Sequence, residues 1–387
     1  MEANYLVAKK LLNRFIENGL PSYAKSRNYD FGNNKRGNVS NLSPYIRRRI
    51  IHEEEVIFSC LEKYDYQRIE KFIQEIFWRT YWKGWLEGRP KVWCDYLAEL
   101  KIIEDNLKNS NFFKDYNKAI NAQTGIDCFD NWVKELKEHG YLHNHARMWF
   151  ASIWIFTLNL PWELGANFFY RNLLDADAAS NTLSWRWVAG LHTSGKFYLA
   201  RQDNIEKYSN YKFSKPDQLS NKAKVFESKY YEYNKPSFHS ENIKDLNYFL
   251  FSPNNIEYNE NFLNKLKNMT VIYYDIFNNS QDSERKKKFI SSASIEYLKM
   301  LQKKEIKVKI IENEHSFKKF TNSLEIAFPY PSIGYEKSVV EDLSYKNNFK
   351  LKYIYDPFDL LCWPFAKSGF FKLKKKIEIL INNLKNL

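Results

Sequence analysis

The densest chemistry in the chain lies between Leu142 and Gly190. Trp149, Trp154, Trp162, Trp185 and Trp187 share this stretch with Arg147, the closely spaced Asp175 and Asp177, and Asn181. Indoles at this density are more than core filler, and so small and specific a polar set exceeds what a generic helical core needs. The combination implies a light-driven redox site. Upstream, Glu75, Trp78 and Arg79 fall in FIQEIFWRTYWKGWLEG, whose apolar spacing is helical. Glu75 and Arg79 are one turn apart, so an ion pair between them explains both as well as a role in a cavity does.

Asn144-His145-Ala146-Arg147-Met148, then Asp175-Ala176-Asp177, Asn181 and Trp185-Arg186-Trp187-Val188-Ala189-Gly190 resemble the flavin-binding core of the DNA photolyase and cryptochrome family. The family's pattern is an HNRxRM-like segment, an acidic-x-acidic pair, an Asn four residues later and a WQW-like close. His145 replaces the Arg of that first segment. Tyr23-Ala24-Lys25-Ser26-Arg27-Asn28 resembles the Tyr-x-x-x-Arg that opens the family's cofactor domain. Arg36 to Tyr45 resembles its TSxLSPYL segment with Val39 at the leading Thr, and Glu75 to Arg79 resembles its ELIWRE-like helix. The resemblance covers most of residues 23–210.

It implies FAD, reduced and anionic when active, with Tyr23, Ser40, Asn41, Leu42, Ser43, Arg147, Asp175, Asp177 and Asn181 around it. Arg147 and Asp175 match an ion pair beside the isoalloxazine, Asp177 matches a carboxylate at the ring edge, and Asn181 matches the residue opposite flavin N5. From the residues alone, the Ser-rich turn entering a helix suits a pyrophosphate, because free amides and the helix dipole face the anion. An ordinary N-cap explains that turn equally well. Trp185 and Trp162 match the first two members of the family's electron relay. No Trp stands near Lys108 to Asn111 for a third, and Phe112, Phe113 and Tyr116 lie close, Tyr116 being an oxidisable substitute. Trp132, Trp149 and Trp154 are equally well core residues.

Glu75, Trp78, Arg79, Asn144, Met148 and Trp187 match the residues around the substrate. Trp78 and Trp187 are expected to flank a cavity that takes a flipped lesion. The function implied is light-dependent repair of cyclobutane pyrimidine dimers in ultraviolet-damaged DNA. Alternatives are a cryptochrome-like photoreceptor, a six-four photolyase using His143 or His145 as acid, or a basic DNA-binding protein without flavin. A second, antenna chromophore of unknown identity remains open.

The elements that must position these residues fall into two parts. At 387 residues the chain can bury two cores. Residues 1–235 are expected to form a helical FAD-binding domain, 209–244 a connector without periodicity, and 245–387 a smaller doubly wound parallel α/β domain. The fold class is therefore α plus α/β. LNYFLF, MTVIYYDI, KVKIIE, SLEIAFPY and FKLKYIYD read as strands, with helices at 283–304 and 334–348 between them. No Gly-rich phosphate loop follows a strand. The family places its antenna domain first, so the order here suggests a circular permutation, with an unrelated α/β domain fused to a flavin domain as the alternative. The lysines of the final DPFDLLCWPFAKSGFFKLKKKIEIL read as a terminal helix, which could also pack the two parts together or extend a DNA surface.

A formal charge of +13 favours a polyanionic partner, with an AT-rich genome as the bland explanation. Cys60, Cys94, Cys128 and Cys362 show no metal or redox spacing. The first residues read as an amphipathic helix without cleavage site or apolar span. A cytoplasmic monomer away from membranes is expected.

Overall fold

The computed structural model describes residues 2–193, 195–213, 219–238, 245–277 and 280–385. Regular structure up to Tyr208 is entirely helical, and a five-stranded sheet follows from Tyr248. The spine of the helical part is the helix Tyr66–Glu87. It buries Ile69, Phe72, Ile73, Ile76, Phe77 and Tyr81, a stripe at helical spacing. Gly84 interrupts it for a packing reason: a Cβ there would lie 2.5 Å from the Trp363 indole. The helix forgoes about 1 kcal/mol of propensity relative to Ala to admit that ring. The helix Asp127–His139 ends at Gly140, whose φ of 64° lets its N–H close on Leu136 O. That turn directs the chain into the helix Asn144–Ser152.

β1 (Tyr248–Leu250), β2 (Thr270–Tyr274), β3 (Lys307–Ile311), β4 (Glu325–Pro329) and β5 (Lys350–Ile354) form one parallel sheet in the order β3-β2-β1-β4-β5. Parallel neighbours need crossovers, and the helices Glu284–Lys303 and Tyr335–Asn347 are two of them. Every strand anticipated from β-branched and aromatic runs forms. The order reverses between β1 and β4. There the loops after both strands meet Arg47, Arg79 and Tyr170 around a polar cavity of about 60 Å³.

The cores differ from the two-core expectation. One apolar cluster joins Phe15, Tyr45 and Phe77 of the helical part to Phe249, Phe251 and Tyr297 beside the sheet. A second surrounds Trp149, Trp154 and Trp185, and a third lies on the far sheet face with Leu250, Ile272 and Phe328. The reason is strand alternation: Phe249 and Phe251 point to one face and Leu250 to the other. The first face packs on the sheet's own helices, Phe249 against Phe262 and Phe251 against Tyr297, and that layer in turn meets the start of the chain, Tyr258 on Tyr5 and Phe289 on Tyr45.

The C-terminal stretch is not one helix. Pro357–Cys362, Phe370–Lys374 and Ile377–Leu384 are separate short helices, the first two parted at Pro364 and Gly369; those two pack along Tyr66–Glu87 and the third packs on Pro357–Cys362. Buried Asp359 fixes them, accepting from Thr80 Oγ1 and Arg49 Nη2 at 2.7 Å each and pairing with Lys83. Residues 219–238 of the connector carry no regular structure. They are pinned by Asn234 N–H to Gly88 O at 2.9 Å and by Tyr231 Oη to Asp95 at 3.1 Å. Residues 214–218 and 239–244 of that segment lie outside the described residues. Among the described residues no helix is long and apolar enough to cross a membrane.

Asp359→Ala strands Lys83 and one edge of Arg49 in a buried setting, and we expect a loss of about 3 kcal/mol in chemical denaturation. Asp359→Asn, which keeps the Thr80 hydrogen bond, should lose less; equal losses would remove the ion pairs from the account.

Candidate functional site

Four helices converge on the turn that carries Asp175 and Asp177. Arg147, from the helix Asn144–Ser152, grips Asp175 two-pronged, Nη1 to Oδ1 at 3.0 Å and Nη2 to Oδ2 at 2.8 Å. Ser43 donates to the same carboxylate. Burial pushes the Asp175 carboxyl up, but Arg147, Arg79 and Ser43 outweigh it and hold the pKa below its usual value. Asp177 caps the helix Ala178–Val188 through Ser180 N–H at 2.8 Å and pairs with Arg79. Arg79 also reaches Asp175 O at 3.3 Å.

Asn181, one turn into that helix, donates its amide nitrogen to Ala166 O at 2.8 Å. Its amide oxygen accepts no hydrogen bond from the described residues and, although the residue is only 8% exposed, is not sealed from solvent. A buried guanidinium–carboxylate pair, a second carboxylate and an unfilled amide acceptor suit the mixed donor and acceptor edge of an isoalloxazine. These residues therefore fit a flavin.

The Ser40–Ser43 turn is built differently from the expected phosphate cradle. Asn41 has φ 55°, and its side-chain amide donates to Arg36 O at 3.0 Å, holding the turn from within. Leu42 is buried, its N–H donates to Ser40 Oγ at 3.4 Å, and Ser43 is spent on Asp175. The helix that follows, Ser43–Arg47, is a single turn with little dipole. Ser43 is thus committed to Asp175, while Ser40 acts only as an acceptor for Leu42 N–H.

On the expected substrate side, Glu75 pairs with Arg27 beside Tyr23, and the one-turn pair with Arg79 does not form. Arg79 is drawn instead to the more deeply buried Asp177. Burial raises the Glu75 carboxyl above its ordinary value against the pull of Arg27. Trp78 departs from the expected open cavity wall: its ring lies face to face on Phe370, centroids 3.7 Å apart at 13°. Trp187 stacks on Tyr198 at 5.7 Å, and Tyr198 Oη lies 3.4 Å from His145 Nε2. Asn144 is exposed at its helix start and Met148 is half-buried one turn on. Tyr198 gave no sequence signal, because its link to Trp187 and His145 depends on how the loop after Gly190 folds back.

The aromatic contacts also redistribute the relay. Trp185 meets Trp154 edge to face at 6.2 Å, and Trp154 meets Tyr116 at 6.0 Å. Trp162 instead meets Tyr96 at 5.4 Å, with Arg186 over its ring at 5.8 Å. Gly165 makes room: a Cβ there would lie 2.3 Å from the Trp185 ring.

Burial lowers His143 from 6.5 to about 4 and also lowers His145. The folded value of His143 is below the unfolded one, so protonation favours the unfolded chain. Its stabilising effect is full above pH 6.5 and is lost as pH falls towards 4. We expect the melting temperature to decline across that window, and the decline to be shallower in His143→Gln; parallel curves would contradict it.

Residues 72–215 match the family described as the FAD binding domain of DNA photolyase. The deoxyribodipyrimidine photo-lyase of Streptomyces griseus is 31% identical over 156 residues, covering 40% of this chain and 33% of that protein. That of Alkalihalophilus pseudofirmus is 27% identical over 194 residues, covering 49% and 39%. A bacterial class III photolyase structure from Agrobacterium tumefaciens is 27% identical, covers 54% of this chain and 43% of its own, and has a TM-score of 0.45. The matches span well under half the length of those proteins. Within residues 72–215, then, the chain is similar to the FAD binding domain of DNA photolyase and to deoxyribodipyrimidine photo-lyases.

Proposed function

We propose that this protein is a flavin photolyase that repairs cyclobutane pyrimidine dimers in ultraviolet-damaged DNA. The observation that carries the proposal is the buried wall of Arg147, Asp175, Asp177 and Asn181, which fits a flavin within a segment matched to the family's FAD-binding domain. When bound, FAD supplies one electron to the dimer on blue-light excitation and receives it back after the cyclobutane ring opens.

The chain's own residues do the rest. Arg147 sets a positive charge where an anionic ring needs one, and Asp175 fixes its orientation. Arg79 locks Asp177 and so ties the helix of Glu75 and Trp78 to the start of the helix of Trp185 and Trp187. Glu75 is the group assigned to a lesion carbonyl, and the rise of its carboxyl on burial supports that reading. Trp187 offers a stacking surface for the flipped base, with Asn144 and Met148 beside it. The net charge of +13 suits a phosphate backbone. His143 and His145, both lowered by burial, are neutral near pH 7 and so poorly suited to the acid role of a six-four enzyme.

Electrons reach the flavin site through Trp185, Trp154 and Tyr116, the rings in contact, with Trp162 off this line. Residues 1–235 act as the FAD-binding domain and 245–387 as an antenna-like domain moved by circular permutation, with 209–244 between them. Whether an antenna pigment binds, and which, stays open. The protein is taken to work as a cytoplasmic monomer. One observation favours the photoreceptor reading: Phe370 covers the Trp78 face that a lesion would use.

The deciding experiment illuminates the reduced protein with oligonucleotides carrying one defined lesion. Loss of cyclobutane dimers in the light alone is expected, and Trp187→Ala should weaken lesion binding by about 1–3 kcal/mol. A flavin that reduces in light without repairing either lesion would leave the photoreceptor standing, and a colourless protein would remove both readings. For electron supply, Trp154→Phe should slow photoreduction of the oxidised protein at least tenfold and Trp162→Phe leave it near the parent rate; the reverse order would restore Trp162 to the relay.

A further inference from the structure

The two indoles expected on the substrate side differ in their surroundings. Trp78 packs against Tyr81, Trp82 and Phe370, whereas Trp187 is half-buried and, among the described residues, meets one ring alone. That ring is Tyr198, stacked on the indole at 5.7 Å and 27°. Its mount is built from two helices. Gly190, at φ 77°, turns the chain back after the helix Ala178–Val188, and Tyr198 N–H then donates to Val188 O at 3.0 Å. Two residues on, Ala200 N–H donates to Ser152 Oγ at 2.8 Å, at the end of the helix Asn144–Ser152. Tyr198 is thus held between the helix that carries Trp187 and the one that carries Asn144 and Met148.

The side chain of Tyr198 is oriented by His145. The imidazole packs against Trp149 at 4.2 Å and Tyr208 at 5.1 Å, and its Nδ1 lies 3.0 Å from Asn28 O. A carbonyl only accepts, so Nδ1 carries the proton. Burial, with Arg27 nearby, lowers His145 against the pull of Asn28 O, the Asn204 side chain and Asp30, so the ring is neutral near pH 7 and its Nε2 offers a lone pair. That nitrogen faces Tyr198 Oη at 3.4 Å, which makes the hydroxyl the donor. Backbone, hydroxyl and stacking together leave the Tyr198 ring one orientation.

We propose that Tyr198 is a positioning residue for the lesion: oriented by His145, it backs one face of Trp187 and holds the indole so that its other face receives the flipped base. The proposal rests on the lesion-repair reading above, in which Trp187 is the stacking indole. A free indole loses part of its stacking free energy to rotamer ordering when a base arrives, and one already fixed in place does not. Tyr198 therefore acts on selectivity for damaged DNA without touching it. Phosphate contacts, which hold intact and damaged strands alike, do not depend on it.

The test measures dark affinities of the full chain, with flavin bound, for a single strand carrying one cyclobutane dimer and for the same strand intact. Tyr198→Leu should weaken dimer binding about fivefold, the size of an aromatic pair's contribution, and leave intact-strand binding unchanged. Tyr198→Phe, which keeps the ring in the packed loop, should weaken it about threefold through the lost hydrogen bond. His145→Phe, which keeps a ring on Trp149, should have the same effect, and the double variant no more than either, because both changes remove one bond. In a Trp187→Ala background Tyr198→Leu should add nothing. A further fivefold loss there would make Tyr198 a direct DNA contact and overturn the proposal. Equal losses on both strands, or additive losses in the double variant, would also overturn it while leaving lesion repair standing. A parent protein that binds both strands alike would sink the repair reading, and the positioning role with it.

Discussion

Two arginines from distant helices holding two aspartates on one turn is the constraint on which the site depends. Asp175 and Asp177 are both buried, and a buried carboxylate without a partner carries a penalty of several kcal/mol. Arg147 answers the first and Arg79 the second, so neither helix can shift without stranding a charge. Ser43 and the Asp177 cap absorb remaining hydrogen-bonding capacity. What results is a rigid polar wall inside an otherwise aromatic core. Such pre-set orientation is what a cofactor site requires from its protein.

A second tier of buried charge joins the ends of the chain. Asp359 draws Thr80, Lys83 and Arg49 to the C-terminal helices, and Trp363 settles over Gly84. These contacts place Phe370 on Trp78. The spine helix is therefore clamped on one side by the flavin-type wall and on the other by the last residues of the chain. The sheet joins this assembly through a shared apolar cluster, so the two parts are mechanically continuous where the polar cavity separates their loops.

Electrostatics inside the site follow burial more than neighbours. His143 and His145 lose their charge to desolvation, while Glu75 is pushed towards its neutral form even with Arg27 in contact. Asp175 is the exception, because a bidentate guanidinium and a hydroxyl overcome the same penalty. The site thus holds two guanidinium–carboxylate pairs, Arg147–Asp175 and Arg79–Asp177, beside histidines biased to neutrality. That distribution suits electron transfer without concurrent proton release.

The order of the elements was legible because it rests on local pattern. Apolar spacing in FIQEIFWRTYWKGWLEG specifies a helix, and runs such as MTVIYYDI and KVKIIE specify strands whose parallel pairing demands crossovers. The polar identities of Arg147, Asp175, Asp177 and Asn181 were visible too, since few helical cores need them together. Tertiary structure alone decided who pairs with whom. Glu75 and Arg79 sit one turn apart yet choose Arg27 and Asp177, because packing brings those partners within reach from other elements. Trp185 meets Trp154 rather than Trp162, Ser43 turns to Asp175, and Phe370 closes on Trp78 from the far end of the chain. Sequence spacing reports which residues share a helix face. Contacts across tens or hundreds of residues depend on how those faces are packed, and that is set by the fold as a whole.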